Sequence, residues 1–215
     1  MLDIHLCGHH FIAHPQRALY WPAQSMLLIA DVHLGKADTF RQFGIGVPQL
    51  VQDRDLANLQ LLLGLWQPQR LVVLGDLVHG RIVGSSTVAA WNQLVDLHPS
   101  TQFELVLGNH DRSFQAGVLT LHQIHRHLLL DGVYLSHEPV DVQALPAQSE
   151  LNIHGHIHAA IQLEGSRSKL PALAYTPPHL SMPAFSEFTA GAQVPAQCEK
   201  LWVFAPEADL VAQVH

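Results

Sequence analysis

Charge is scarce in this chain of 215 residues: 13% are Asp, Glu, Lys or Arg, and only 11 are Lys or Arg. With 18 acidic residues the formal net charge is −7. A duplex-binding module that works by neutralising phosphates is normally basic, so any nucleic-acid contact must be local or depend on metal ions or a partner. Cysteine is nearly absent. Cys7 and Cys198 lie far apart, which excludes both a paired-thiol zinc site and the disulfide framework of a small secreted domain. No apolar run approaches the length of a membrane span. The N-terminus, Met1-Leu2-Asp3-Ile4-His5, lacks the basic and long apolar regions of a signal peptide. The expectation is a cytoplasmic protein with no membrane partner.

What the chain does have is apolar content and histidine. Hydrophobic residues make up 48%, enough for a packed core. The length suits one domain spanning 1–215. The 17 histidines raise the prior for a metal site without locating it.

The apolar pattern sets the fold class. Met26 to Ala30, Arg70 to Leu74 and Phe103 to Leu107 are short apolar stretches, as expected of strands covered on both faces. Between them, Leu56, Leu59, Leu63 and Trp66 recur at helical spacing after Pro48, and Pro68 ends that element. Val88, Trp91, Leu94 and Val95 mark a second helix, capped by Ser85 or Ser86. Short strands are also expected before residue 30. Beyond residue 125 the helical spacing gives way to short strand-like runs at 128–130, 133–135, 151–154, 159–163, 173–176 and 201–204. The segment 164–200 contains Pro171, Pro177, Pro178, Pro183 and Pro195 and reads as mostly loop. The prediction is an α/β protein, a two-sheet sandwich flanked by helices (αββα), with a site at the carboxyl ends of its parallel strands.

Five short segments stand at or near the ends of those runs: Asp31-Val32-His33, Gly75-Asp76, Gly108-Asn109-His110-Asp111, His137, and Gly155-His156-Ile157-His158. Each alone has an ordinary reading as a turn, a cap or a packed histidine. Together they supply carboxylate, amide oxygen and imidazole. Asp31 and His33 can face one ion, and Asp76 can bridge two. Asn109 adds a carbonyl oxygen, and His137, His156 and His158 add nitrogen. Hard oxygen with borderline nitrogen suits Mn²⁺, Fe or Zn²⁺ and excludes a pure calcium site.

These blocks, in this order, resemble the calcineurin-like metallophosphoesterase superfamily over roughly residues 26–182. The resemblance implies two divalent ions, Mn²⁺ foremost. Asp31, His33, Asp76 and His158 would hold one, and Asp76, Asn109, His137 and His156 the other. It further implies His110 as a general acid with Asp111 orienting it. The second block departs from the family, where an acidic or amide residue often stands at the position of His79. Two divalent ions roughly 3.5–4 Å apart can share a hydroxide and bind phosphoryl oxygens, so hydrolysis of a phosphodiester is the expected reaction. Leu34-Gly35-Lys36, His137-Glu138-Pro139 and residues 182–189 (MPAFSEFT) resemble the bacterial ligase-associated DNA damage response endonucleases (PdeM-like). That resemblance implies nucleic acid or a nucleotide as substrate, and DNA ligase and helicase repair partners.

Arg112, His79 and Arg41 follow ligand blocks and are candidate substrate contacts, Arg112 foremost among the arginines because it follows His110 and Asp111 directly. His154 shares the alternation of His156 and His158 but reads as a packed histidine. Two other functions compete: a phosphomonoesterase acting on small phosphoesters or phosphoproteins, and a non-catalytic metal-binding scaffold. Oligomeric state has no signal in the sequence.

Overall fold

The central strands alternate between two interiors. In β4 (Met26–Ile29), Met26 and Leu28 face one core while Leu27 and Ile29 face another. In β5 (Arg70–Leu74), Val72 and Leu74 join the first core, Leu71 and Val73 the second. This two-sided burial explains why neither strand shows polar alternation. A computed structural model describes residues 1–46, 50–113, 117–162, 168–189, 191–194 and 198–214.

The first sheet runs in chain order. β1 (Leu2–Leu6), β2 (His9–His14), β3 (Ala18–Trp21) and β4 form an antiparallel meander. The pairing turns parallel from β4 to β5, to β6 (Gln102–Val106) and to β7 (Gln123–His125). Parallel neighbours need long crossovers, and these hold the helices. α1 (Lys36–Gln42) and α2 (Leu50–Trp66) follow β4, and α3 (Ser85–Leu97) follows β5. Leu59, Leu62 and Leu63 of α2 pack with Trp91, Leu94 and Val95 of α3 on the outer face of this sheet.

The second sheet is mixed. It contains β8 (Leu128–Leu130), β9 (Val133–Ser136), β10 (Leu151–His154), β11 (Ala159–Gln162), β12 (Lys169–Thr176), β13 (His179–Ser181) and β14 (Ala192–Gln193). Their order is β14-β11-β12-β13-β10-β9-β8, with β15 (Lys200–Ala205) beside β12 and β16 (Leu210–Gln213) beside β15. The sheets meet over Phe11, Trp21, Leu28, Val72, Leu135, Ile153, Leu173, Trp202 and Phe204.

The sandwich agrees with the sequence reading, with three local differences. Among the described residues all three α-helices precede residue 98, and the outer face of the second sheet carries only a small cluster around Ala172, Cys198 and Leu201. The helix start at Pro48 lies outside the described residues. The cap of α3 is Gly84, not a serine. Asp38 of α1 accepts from the Gly84 N–H at 2.8 Å and from the Thr87 hydroxyl at 2.9 Å, so the capping oxygen comes from another helix. The prolines after residue 164 do not make one long loop. Thr176 pairs with His179, so Pro177 and Pro178 form the two-residue turn of the β12–β13 hairpin.

Candidate metal centre

The loops leaving β4 and β5 continue side by side. Asp31 N–H donates to the Gly75 carbonyl at 3.1 Å, His33 N–H to Asp76 at 2.9 Å, and Leu34 N–H to Leu77 at 2.8 Å. Within this pairing the backbone turns left-handed at Asp31 (φ 55°), His33 (φ 53°) and Asp76 (φ 50°). The loop after β10 does the same at His156 (φ 65°) and His158 (φ 53°). Non-glycine residues rarely take this conformation, and its concentration at functional sites is common. Here it swings side chains out of the strand direction toward one point.

The glycines of the ligand blocks leave room for that convergence. A β-carbon on Gly75 would overlap the His137 ring, and one on Gly108 would overlap Asp76. One on Gly155 would lie 2.6 Å from Asp31 Oδ2. Each block therefore yields space to a side chain from another.

The result is two adjoining groups. Asp31, His33 and His158 place one ligand atom each within 4.8 Å of one another, and so do Asp31, Asp76 and His137. His158 Nε2 lies 3.2 Å from Asp31 Oδ1 and 3.4 Å from His33 Nε2. Asp31 thus belongs to both groups, and Asp76, expected as the bridge, to the second. Its carboxylate also accepts the His156 N–H, at 3.0 Å for Oδ2.

Tautomers indicate what the second group is for. His137 Nδ1 lies 3.0 Å from the Leu74 carbonyl, which can only accept, so the proton sits on Nδ1. In the neutral ring that binds a metal, Nε2 then carries the lone pair. It faces Asn109 Oδ1 at 3.0 Å, His156 Nδ1 at 3.2 Å and Asp76 Oδ1 at 3.5 Å. In that form a cation among these atoms would satisfy ring nitrogen, amide oxygen and carboxylate together. The donor set of carboxylates, amide oxygen and imidazoles fits a divalent transition metal. His33 is 5% exposed, and burial, with the nearby His158 and Lys36, pushes its imidazole down to about 2. It stays neutral, as a ligand must. Its Nδ1 is buried without a hydrogen-bond partner.

The other candidates fall into place around this cluster. His110 donates its backbone N–H to Asp76 Oδ1 at 3.0 Å, and its Nε2 lies 3.8 Å from Asp76 Oδ2. Its Nδ1 is held by the His79 carbonyl at 2.8 Å. Asp111, expected to orient His110, accepts from Gly108 N–H at 2.9 Å and Val78 N–H at 3.1 Å. It fixes the turn that carries Asn109, and burial raises its carboxyl. The His79 ring stacks on His110 at 5.4 Å and meets His33 edge-on at 5.5 Å. Its imidazole is lowered, first by burial and then by Lys36. Arg41 pairs with Asp38 on α1, and Arg112 is exposed on a 3₁₀ turn. His154 is packed, with its ring nitrogens 2.9 Å from the Gly155 carbonyl and 2.9 Å from Ser181 Oγ.

Sequence reasoning missed the support behind the ligands. Phe185 N–H donates to Ala30 at 2.7 Å and Ser186 N–H to Asp31 at 3.3 Å, so segment 182–189 holds the backbone of the first block. Asp55 of α2 accepts from Glu187 N–H at 3.1 Å, and Arg17 reaches the Phe185 carbonyl at 3.0 Å. No local pattern marks Arg17 or Asp55. Lys36, Glu187 and their neighbours carried a signal only as part of the subfamily resemblance.

A family model described as calcineurin-like phosphoesterase matches residues 25–186. Among solved structures, the nuclease MPE of Pseudomonas putida is similar with a TM-score of 0.80 and 28% identity, covering 99% of this chain and 99% of that one. Yfce, a phosphoesterase from E. coli, has a TM-score of 0.49 and 18% identity, covering 88% of this chain and 97% of that one. No curated protein matches the sequence. A match across most of the chain, over a range that contains every residue converging here, means that the protein belongs to the calcineurin-like phosphoesterase family.

Proposed function

We propose that this protein is a two-metal phosphodiesterase that cuts nucleic acid. The observation that carries the reading is the pair of adjoining ligand groups, with Asp31 in both, Asp76 in the second and His110 beside Asp76; the family arrangement makes Asp76 the ligand the two cations would share. Asp31, His33, Asp76 and His158 would hold one cation, and Asp76, Asn109, His137 and His156 the other. When bound, two divalent cations supply Lewis acidity toward phosphoryl oxygens and toward the attacking water.

The chain's own residues supply the rest. His110 keeps its Nδ1 proton on the His79 carbonyl, so only Nε2 can exchange a proton with substrate. As an imidazolium it donates that proton to the leaving alkoxide. The His79 ring stacked against it limits its rotation. Asp111 serves by holding the Gly108 turn. The nuclease neighbour, 28% identical over nearly the whole chain, supports a diester rather than a monoester substrate. The subfamily resemblance extends the reading to a nuclease serving a ligase and helicase repair set, with Mn²⁺ as the metal.

The test is hydrolysis of bis-p-nitrophenyl phosphate and p-nitrophenyl phosphate after metal stripping and Mn²⁺ return, with Asp76→Ala as control. Mn²⁺-dependent diester cleavage lost in the variant is the expected result. Cleavage of the monoester alone makes the protein a phosphatase, and metal uptake with neither activity makes it a scaffold. His110→Ala should keep metal yet lose about 10²–10⁴-fold in turnover.

A further inference from the structure

β10 is buried on both faces, and only one of them is apolar. Leu151 and Ile153 enter the core between the sheets, while Asn152 and His154 turn the other way and are still 0% and 1% exposed. Polar side chains this deep need hydrogen-bond partners, and both have them. Asn152 gives its Nδ2 hydrogens to the Tyr134 carbonyl at 3.0 Å and to Ser136 Oγ at 2.9 Å. His154 stands opposite Ser181 in the parallel pairing with β13, and Ser181 Oγ meets its Nε2 at 2.9 Å. His154 Nδ1 lies 2.9 Å from the Gly155 carbonyl, which can only accept, so Nδ1 carries a proton.

That carbonyl opens the loop bearing His156 and His158. It also accepts the Ile157 N–H at 2.7 Å, which closes a three-residue turn around His156, where φ is 65°. A γ-turn with a left-handed centre is the rare and strained kind, and such a conformation persists only where its surroundings hold it. Here the peptide between Gly155 and His156 is gripped at both edges. The His154 ring takes its carbonyl, and Asp31 Oδ2 takes its N–H at 3.0 Å. The His156 ring is thereby carried to His137, with Nδ1 3.2 Å from His137 Nε2. His158 has other supports: its carbonyl accepts the Ala192 N–H at 2.9 Å, and its Nε2 lies 3.2 Å from Asp31 Oδ1.

We infer that His154 is a positioning residue for one of the two cations. Its Nδ1–H fixes the plane of the Gly155–His156 peptide and so the direction of the His156 ring, while Ser181 holds the far side of its own ring. His158 does not depend on that bond. Losing it would therefore weaken the cation held by Asp76, Asn109, His137 and His156 and spare the one held by Asp31, His33, Asp76 and His158. Partners behind a ligand commonly set metal affinity by about 10–100-fold. The role rests on the two-metal reading of the site, and it assigns the two cations of that site different supports.

The experiment is a Mn²⁺ titration of the metal-stripped full chain, followed by calorimetry and by electron paramagnetic resonance. An isolated Mn²⁺ shows resolved hyperfine lines, and two neighbouring ions couple and lose them. His154→Asn keeps an N–H at the position of Nδ1 and gives up Ser181. His154→Gln does the reverse, with its amide near the position of Nε2. Ile153→Val loosens the same strand from its other face and is the control. The wild type, His154→Asn and Ile153→Val should each take two ions and reach the coupled signal. His154→Gln should keep one tight ion, bind the second about tenfold or more weakly, and show isolated Mn²⁺ at concentrations where the wild type is coupled. Should His154→Gln fail to fold, Ser181→Ala, which frees the ring to turn, reads the same effect in the same direction by a smaller factor. Equal weakening in His154→Asn and His154→Gln overturns the assignment, and so does loss of both ions together or a second ion bound as tightly as in the wild type. A wild type that takes up a single Mn²⁺ removes the two-metal reading itself, a failure distinct from two ions bound unchanged in every variant.

Discussion

Replacing Asp31 by Asn should raise stability without metal and lower it with metal. Asp31 and Asp76 are 0% and 2% exposed, and their ligand oxygens lie within 4.8 Å together with His137 Nε2 or Nδ1. Two like charges at that separation repel by roughly 3 kcal/mol at an effective dielectric of 20. The buried His33 beside them stays neutral, so partial compensation comes only from His137 and His158, 3.2–3.9 Å from the two carboxylates. Asparagine removes one charge and keeps an oxygen for the His156 N–H, although a bond to a neutral acceptor is weaker by about 1 kcal/mol. The net gain for the metal-stripped protein is about 1–2 kcal/mol, or roughly 2–8 °C in Tm for a chain of this size. With metal the order reverses. At a free Mn²⁺ concentration 100 times Kd the wild type gains about 2.7 kcal/mol, whereas a variant whose Kd rises a hundredfold gains about 0.4 kcal/mol. The assay is thermal unfolding of both proteins after chelation and again along a Mn²⁺ titration. If stripped Asp31→Asn melts below stripped wild type, and the two Mn²⁺ increments are equal, the charge-crowding account is wrong.

Other consequences follow from the same geometry. Burial pushes the Asp55 carboxyl up to about 7, against the pull of the Glu187 N–H and Arg17. A folded pKa above the unfolded value means stability present below about pH 4 and lost as pH rises through 7, up to roughly 4 kcal/mol. Urea midpoints between pH 5 and 8 should therefore fall with pH in the wild type and fall less in Asp55→Asn; identical slopes would exclude it. Gly155→Ala puts a β-carbon 2.6 Å from Asp31 Oδ2 and 2.8 Å from the Leu74 carbonyl. It should cost about tenfold or more in metal affinity by titration calorimetry, a loss of the size seen when support around a metal site fails. Glu104 is 1% exposed, and its carboxylate takes Arg70 at 2.6 and 2.8 Å and His125 at 2.8 Å, which together hold it below the usual carboxylate range despite burial. Glu104→Ala strands Arg70 and should destabilise by about 3–5 kcal/mol in denaturant melts, with a loss below about 1 kcal/mol showing the cluster to be solvent-screened.

What the sequence showed and hid follows one division. Patterns set by local burial were legible. The apolar runs of β4, β5 and β6 are covered on both faces, and the Asp31, Asp76 and Asn109 blocks stand just beyond them. Features set by distant contacts were not. α1 buries only Ala37 and so has no apolar period. Its Asp38 caps α3 from 46 residues away. Arg17 meets Phe185 across a separation of 168 residues. Nor did the sequence show that Asp111 accepts from the backbones of Gly108 and Val78.

The left-handed ligand positions connect the two kinds of information. Asp31, His33, Asp76, His156 and His158 each hold a conformation that costs an L-residue roughly 1–2 kcal/mol. No short loop would keep five such residues by its own preference. They persist because Gly75, Asp76 and Leu77 accept the N–H groups of the first block, segment 182–189 bonds to Ala30 and Asp31, and the strands beneath are fully packed. The aspartates tolerate this backbone better than bulky residues do, and the glycines beside them yield the space a β-carbon would fill. The same pairing that strains the ligands therefore fixes where they point. A buried sandwich beneath the strand ends is the condition for holding a candidate metal site rigidly on loops this short.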